Sequence, residues 1–224
     1  MNGSQPLLCI KNLSITVVNG LELIKDFNLE LSAGDCKGIS SPTGTGKSTL
    51  FNYIAGILPQ NNFKVSGELA KAPELKIAYV FQEPRLIPSV SALKNVMLPL
   101  ENKMDCQSAQ SVANVWLDRF KLLNKAQEFP VNLSGGEKQR VNLARAFATI
   151  GFHEPASAVP ELVKGVPKLL LLDEPFSSQD EQNARNIQTL IKEMLLFPDT
   201  AALVISHDKI MLNELCDEVH DFSL

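Results

Sequence analysis

The chain has 224 residues, of which 45% are hydrophobic and 21% charged, a balance typical of a globular protein with a sizeable core. Its formal net charge of -4 at pH 7 excludes the basic surface that drives sequence-independent binding to nucleic acid, so we expect no nucleic-acid partner. The longest apolar runs are strand-length, whereas a membrane-spanning helix needs about 20 apolar residues, and the first residues lack the pattern of a secretory signal.

The beginning of the chain predicts an antiparallel β lobe followed by a strand and a helix. Two extended segments fill residues 7 to 31 and are separated by Asn19-Gly20, a dipeptide typical of two-residue β-hairpin turns. After a turn at residues 33 to 35, a short strand is predicted to end near Ile39. A glycine-rich loop follows, and apolar residues at helical spacing then predict a helix, namely Leu50, Phe51, Ile54 and Ala55.

The loop between this strand and this helix has the sequence of a phosphate-binding loop. Glycines let backbone N–H groups approach phosphate oxygens, and the helix that follows presents the positive end of its dipole. Lys47 is predicted to reach the β and γ phosphates of a nucleotide, and the Ser48 hydroxyl to coordinate Mg²⁺. The predicted nucleotide-binding residues are Ser41, Pro42, Thr43, Gly44, Thr45, Gly46, Lys47, Ser48 and Thr49. A glycine- and threonine-rich turn with an incidental lysine is the alternative.

One position of this loop departs from the usual pattern, because Ser41 stands where the first glycine is expected. If that position requires a positive φ, a side chain there costs on the order of 1 kcal/mol. This cost perturbs the loop without abolishing it, so we expect nucleotide to bind.

The rest of the chain predicts a helical lobe inserted in an α/β core. Residues 76 to 81 predict a strand and residues 91 to 149 predict mostly helices, with one apolar helix face formed by Val112, Val115, Trp116, Leu117 and Phe120. From Lys168 onward, strands and helices alternate, as in a mostly parallel sheet. We therefore expect a single domain over residues 1 to 224, with the helical lobe at about 88 to 148.

The predicted strand at residues 169 to 172 consists of four leucines and ends in two acids, Asp173 and Glu174. A buried parallel strand is continuously apolar, and ligands bind at the carboxyl ends of such strands. Asp173 is thereby predicted to hold Mg²⁺ through its water shell, and Glu174 to orient and deprotonate an attacking water. A solvated strand end is the alternative.

Residues 134 to 140, Ser-Gly-Gly-Glu-Lys-Gln-Arg, follow Leu133 and precede a helical run. They resemble the signature sequence of ATP-binding cassette transporter subunits, with Glu137 in place of the usual glutamine. The phosphate loop before them and the acidic pair after them follow the order of motifs in that family. The segments at 81 to 88 and 92 to 100 resemble ATPases of nitrate, sulfonate and taurine importers. The resemblance implies a P-loop NTPase core with a mostly parallel sheet, an N-terminal antiparallel β lobe and an inserted helical signature lobe. It also implies hydrolysis of ATP with Mg²⁺.

The resemblance assigns further residues to the site. Gln82 matches a glutamine that contacts Mg²⁺ and the attacking water and reports to the membrane subunit, and His207 matches a histidine that contacts the γ-phosphate. Asp180 resembles an acid in a loop that crosses a dimer interface. The family usually stacks an aromatic residue on adenine where this chain has Val17, which predicts modest ATP affinity and loose base selectivity. In the family, the signature residues Ser134, Gly135 and Gly136 bind the ATP of a second chain.

The implied function is ATP hydrolysis that powers transport, with import of a small anion or organic solute as the leading interpretation. The implied partners are transmembrane permease subunits, a second copy of the chain in a homodimer and, in the full system, a solute-binding protein. The implied location is the cytoplasmic face of the cell membrane, which agrees with four scattered cysteines lacking metal-ligand spacing. Two alternatives stay open: an ATPase of a lipoprotein-release or export system, and an ATP-dependent dimerisation module with little hydrolysis.

A long connection follows the signature helix. Residues 151 to 167 contain three prolines, at 155, 160 and 167, where the family often has only a few residues. A tolerated surface loop is the expected explanation, because the entropy of loop closure grows slowly with length. A contact surface for another subunit is the alternative.

Overall fold

The computed structural model describes residues 6–40, 46–150 and 166–221. The chain divides into two compact units. The first contains residues 1–77, 165–173 and 195–224, and the second contains residues 78–164 and 174–194. The predicted phosphate-loop residues 41 to 45 and most of the connection at 151 to 167 lie outside the described residues.

An antiparallel sheet of three strands begins the first unit. Its strands are β1 (Leu8–Val17), β2 (Glu22–Leu31) and β4 (Phe63–Lys71), in the order β2-β1-β4. The predicted hairpin is confirmed, but its turn is longer than two residues, since Val17 N donates to Leu21 O across residues 18 to 20. The strand β4 was not predicted, because none of its residues is buried and Gly67 interrupts the alternation of Phe63, Val65 and Leu69. Backbone pairing with β1 decides its conformation.

A five-stranded sheet forms the α/β part of the fold. Its strands are β3 (Cys36–Ser40), β5 (Lys76–Val80), β6 (Lys168–Asp173), β7 (Thr200–Ile205) and β8 (Glu218–Asp221). The order is β5-β6-β7-β3-β8, and the pairs β6–β7, β7–β3 and β3–β8 are parallel. Every residue of β6 and β7 is buried, which explains their continuous apolar sequences. The predicted α/β class with a mostly parallel sheet is confirmed.

Six α-helices accompany these strands in the described residues: α1 (Lys47–Ala55), α2 (Ala92–Met97), α3 (Cys106–Arg119), α4 (Gly135–Thr149), α5 (Glu181–Leu195) and α6 (Lys209–Leu215). In the second unit, α3 and α4 pack through the aromatic rings of Trp116, Phe120 and Phe147. The predicted apolar face of α3 is wrong at Val115, which is 36% exposed because it lies about 160° around the helix from buried Ala113 and Leu117. Within the described parts of the chain, no helix is both long and apolar enough to span a bilayer.

Candidate nucleotide-binding site

The hydroxyl of Ser48, in the first turn of α1, lies against the acid that ends β6. Ser48 Oγ donates a hydrogen bond to Asp173 Oδ2 at 2.8 Å, although the two residues are 125 positions apart. Asp173 is buried, while Ser48 is exposed. A hydroxyl and a carboxylate on the carboxyl edge of a parallel sheet are the hard oxygen donors that Mg²⁺ prefers. The residues present therefore fit the magnesium ion that the sequence predicts.

The start of α1 has the backbone features of an anion site. Gly46 precedes the helix with φ +85°, and a Cβ atom built there would lie 2.8 Å from the carbonyl oxygen of Leu23 in β2. Only glycine fits this approach. Among the described residues no side chain caps the first turn of α1, which contains no acid. Its N–H groups and the positive end of its dipole, next to Lys47, fit a phosphate.

His207 is the second residue after β7, at the edge of the sheet where β3 ends. Ser206 N donates to Ile39 O at 3.2 Å, so the end of β7 is tied to the end of the strand that enters the loop. His207 itself is exposed. The strands β3, β7 and β6 are parallel, so their carboxyl ends lie at one edge of the sheet. The phosphate loop follows β3 in the sequence, His207 follows Ser206 after β7, and Asp173 ends β6.

Val17, the predicted contact for the nucleotide base, is the last residue of β1 and is half-buried. It pairs with Phe63 of β4, while its neighbours Val18 and Leu21 are 59% and 56% exposed.

Two other predicted residues belong to the second unit. Glu174 is 6% exposed and has φ +51°, in a turn where Ser177 N donates to Glu174 O at 3.1 Å. A positive φ at a residue with a side chain is uncommon and is found at functional sites. Gln82 is exposed and follows Phe81, the residue after β5.

The backbone before Gln82 is held by polar side chains that the sequence did not single out. Asn142 Nδ2 of α4 donates to Phe81 O at 3.2 Å, and Gln139 Nε2 donates to the same oxygen at 3.5 Å. Both side chains are 1% exposed. Polar residues three positions apart on the buried face of a helix were the available signal, since buried amides need partners.

The predicted signature residues form the N-terminus of α4. Ser134 is the N-cap, and its Oγ accepts from Glu137 N at 3.2 Å while Glu137 Oε2 accepts from Ser134 N at 2.8 Å. The N–H of Ser134 lowers the pKa of the Glu137 carboxyl below its usual value. A glutamine could accept the same bond, so Glu137 in place of glutamine keeps this capping box.

The signature helix packs closely against the loop at residues 177 to 180. A Cβ atom at Gly136 would lie 2.4 Å from Ser178 O, so this approach requires glycine. Gln179 Nε2 donates to Gly136 O at 3.0 Å, and Arg140 Nη1 donates to Gln179 Oε1 at 2.7 Å. Burial lowers the pKa of Arg140, partly offset by the carboxylates of Glu137 and Asp180. The sequence did not predict the Gln179 contacts, because its partners lie about 40 residues away.

Comparison with known proteins places the chain in a family. The family model described as ABC transporter matches residues 24–150, which is more than half of the chain. The chain belongs to the ABC transporter family.

This ABC transporter ATPase is similar to ATP-binding proteins of different transport systems, as two relatives and one solved structure illustrate. It is 31% identical over 207 residues to the lipoprotein-releasing system ATP-binding protein LolD of Saccharophagus degradans, with 87% of this chain and 84% of that protein covered. It is 33% identical over 188 residues to the aliphatic sulfonates import ATP-binding protein SsuB 2 of Burkholderia lata, with 83% and 62% covered. The dimeric ATP-binding cassette MJ0796, in a post-hydrolysis state with ADP and Pi, is 29% identical with TM-score 0.76, covering 95% of this chain and 92% of that one.

The family and these relatives confirm that this ABC transporter ATPase hydrolyses ATP and uses Mg²⁺. They also confirm the resemblance to sulfonate importer ATPases. The roles predicted for individual site residues stay predictions.

The contact between Arg140 and Gln179 generates a stability prediction. Gln179→Met keeps the length of the side chain but removes its three hydrogen bonds, to Arg140, Gly136 and Ser177, so we expect the free energy of unfolding to fall by about 1–2 kcal/mol. In a double-mutant cycle with Arg140→Met, we expect a coupling energy of about 1 kcal/mol or more, measured by urea denaturation. Gln182→Met, on the exposed first turn of α5, is the matched control and should change stability by less than about 0.5 kcal/mol. Additive effects of the two substitutions would contradict the contact.

Proposed function

We propose that this ATPase works as a homodimer at the inner face of the cell membrane and powers import of a small anion or organic solute through a separate permease. The observation that carries the proposal is the hydrogen bond from Ser48 to Asp173. It joins a hydroxyl in the first turn of α1 to a buried carboxylate, which supports a Mg²⁺-nucleotide site at this edge of the sheet.

The first unit supplies the phosphate contacts in this proposal. Lys47 binds the β and γ phosphates, and the N–H groups at the start of α1 donate to phosphate oxygens, together with the predicted loop residues that precede them. Ser48 would hold Mg²⁺ through its hydroxyl, and Asp173 would hold it through bound water. Bound Mg²⁺ neutralises phosphate charge during transfer. His207 contacts the γ-phosphate from the end of β7.

The second unit supplies the groups that act on water. Glu174 accepts the proton of the attacking water. Its backbone conformation, with φ +51°, sets the direction in which the side chain leaves the main chain. Gln82 would contact Mg²⁺ and the same water, and the amides of Asn142 and Gln139 hold the peptide before it. The segment that follows Gln82 is the proposed link to the permease.

The signature residues act on the ATP of the second copy. Ser134 Oγ accepts the N–H of Glu137, and its hydroxyl hydrogen can turn from the Glu137 carboxylate to a phosphate oxygen of that ATP. Gly135 and Gly136, at the positive end of the α4 dipole, present backbone N–H groups. Because the chain contains each motif once, two nucleotide sites need two chains in head-to-tail order.

The direction of transport is proposed from the importer relatives. The sulfonate importer ATPase is 33% identical to this chain, which supports import of a small anionic solute delivered by a solute-binding protein. Release of lipoproteins is the second candidate, because this chain covers 84% of the LolD relative but 62% of the sulfonate importer ATPase.

An experiment on the assembled transporter separates the two directions. The chain is purified with its membrane partner and placed in liposomes, and ATP hydrolysis is measured with solute-binding protein outside or with a lipoprotein in the bilayer. We expect stimulation by the solute-loaded binding protein and none by the lipoprotein. The reverse pattern would replace import with lipoprotein release.

Substitution of Glu174 tests its role as the base. Glu174→Gln should lower the rate of ATP hydrolysis by roughly 100-fold or more while Mg²⁺-ATP still binds, because only proton transfer is lost. Hydrolysis is followed by phosphate release and binding by fluorescent nucleotide. Glu181→Gln, at the exposed start of α5, is the matched control and should leave both unchanged. Equal hydrolysis by Glu174→Gln and the parent would remove the assignment.

The residue at position 17 tests the proposed base contact. With Val17 instead of an aromatic ring, we expect comparable hydrolysis of ATP and GTP. Val17→Tyr should tighten ATP binding severalfold, since stacking on a base contributes roughly 1–3 kcal/mol. Thr16→Tyr lies on the opposite face of β1 and should leave affinity unchanged. Strict ATP preference in the parent chain would count against the proposal.

A further inference from the structure

Two cysteines that are 180 residues apart in sequence touch each other in the first unit. Cys36 Sγ lies 3.5 Å from Cys216 Sγ, and both thiols are reduced. Cys36 is the first residue of β3 and is buried, while Cys216 follows α6 and is half-buried.

The backbone holds this pair in place. Asp217 N donates to Cys36 O at 2.8 Å, and Cys36 N donates to Asp217 Oδ2 at 2.9 Å. The next residues, Lys37 and Glu218, pair in parallel strands and form an ion pair.

A glycine makes room for the contact. Gly38 is two residues after Cys36, so the two positions face the same side of β3. A Cβ atom at Gly38 would lie 3.3 Å from Cys216 Sγ and 3.2 Å from Leu212. Without a side chain at this position, the end of α6 approaches β3 closely enough for the two sulfurs to meet.

The surroundings favour redox chemistry over metal binding. Across the described ranges of the chain, no group of three or more His, Cys, Asp and Glu side chains is arranged to hold a metal ion. Two thiols in contact can still exchange with an external disulfide.

We propose that Cys36 and Cys216 form a reversible disulfide that slows ATP hydrolysis. The Cys216 thiolate, the less buried of the two, attacks a sulfur of a low-molecular-weight disulfide and releases one small thiolate. The Cys36 thiolate then attacks the Cys216 sulfur and releases the second. Two protein thiols are oxidised to one disulfide, and the small disulfide is reduced to two thiols.

The bridge would link two elements that are adjacent in sequence to proposed nucleotide-binding residues. The strand that begins at Cys36 leads through Ser40 into the phosphate loop, and the helix that ends before Cys216 begins two residues after His207. A disulfide brings its sulfurs from 3.5 Å to about 2 Å, and a shift of either element by roughly 1 Å would be enough to slow a positioned reaction. The effect on hydrolysis rests on the proposed roles of Lys47 and His207, whereas formation of the bridge does not.

The test uses a chain with Cys9→Ser and Cys106→Ser, which leaves only this pair of the four cysteines. It is incubated with oxidised glutathione, and three readouts follow: thiols counted after denaturation, peptides mapped without reduction, and ATP hydrolysis. A third substitution, Cys216→Ser, gives the matched control, in which only buried Cys36 remains.

We expect both thiols to be lost, the peptides of Cys36 and Cys216 to be joined, and hydrolysis to fall by roughly threefold or more, all reversed by dithiothreitol. The control should keep its rate. Glutathione attached to Cys216 without joined peptides would overturn the proposal, and so would joined peptides with an unchanged rate. A chain that never hydrolyses ATP would refute the ATPase function, and the peptide map would still report on the bridge.

Discussion

The parallel pairing of β3, β7 and β6 decides where the phosphate-side residues of this protein lie. Because the three strands run in the same direction, their carboxyl ends meet at one edge, and each end is followed by a residue predicted to act on nucleotide. The hydrogen bond between Ser48 and Asp173 depends on this register. A strand slip of one residue would turn Asp173 to the other face of the sheet.

In the second unit, buried polar side chains of α4 do the corresponding positioning. Asn142 and Gln139 hold the peptide before Gln82, and Arg140 reaches Gln179 in the loop that follows Glu174. The same helix begins with the signature residues. The helix α4 therefore contacts the segment proposed to meet the permease and the loop after the proposed base. Its own N-terminus is the surface proposed to meet a second ATP. Unsatisfied amides would be costly in this buried position, which makes the arrangement specific.

The sequence predicted the parts of the fold that depend on local pattern. Continuous apolar runs marked β6 and β7, and the glycine-rich loop with the acidic pair marked the edge where Ser48 meets Asp173. The strand β4 escaped prediction because its pairing is made by backbone groups and none of its residues is buried. Gln179 and the pair Cys36–Cys216 escaped for another reason, since contacts between distant residues leave no local pattern.

The central claim is that Ser134 serves the ATP of a second chain, and trapped dimers test it most directly. In a Glu174→Gln background, Mg²⁺-ATP should produce a dimer, measured by size-exclusion chromatography with light scattering. Adding Ser134→Arg should leave a monomer that still binds ATP, whereas Ser111→Arg, on the exposed surface of α3, should leave the dimer intact. A Glu174→Gln, Ser134→Arg chain that dimerises like the control, or a monomer that has lost ATP binding, would contradict the account.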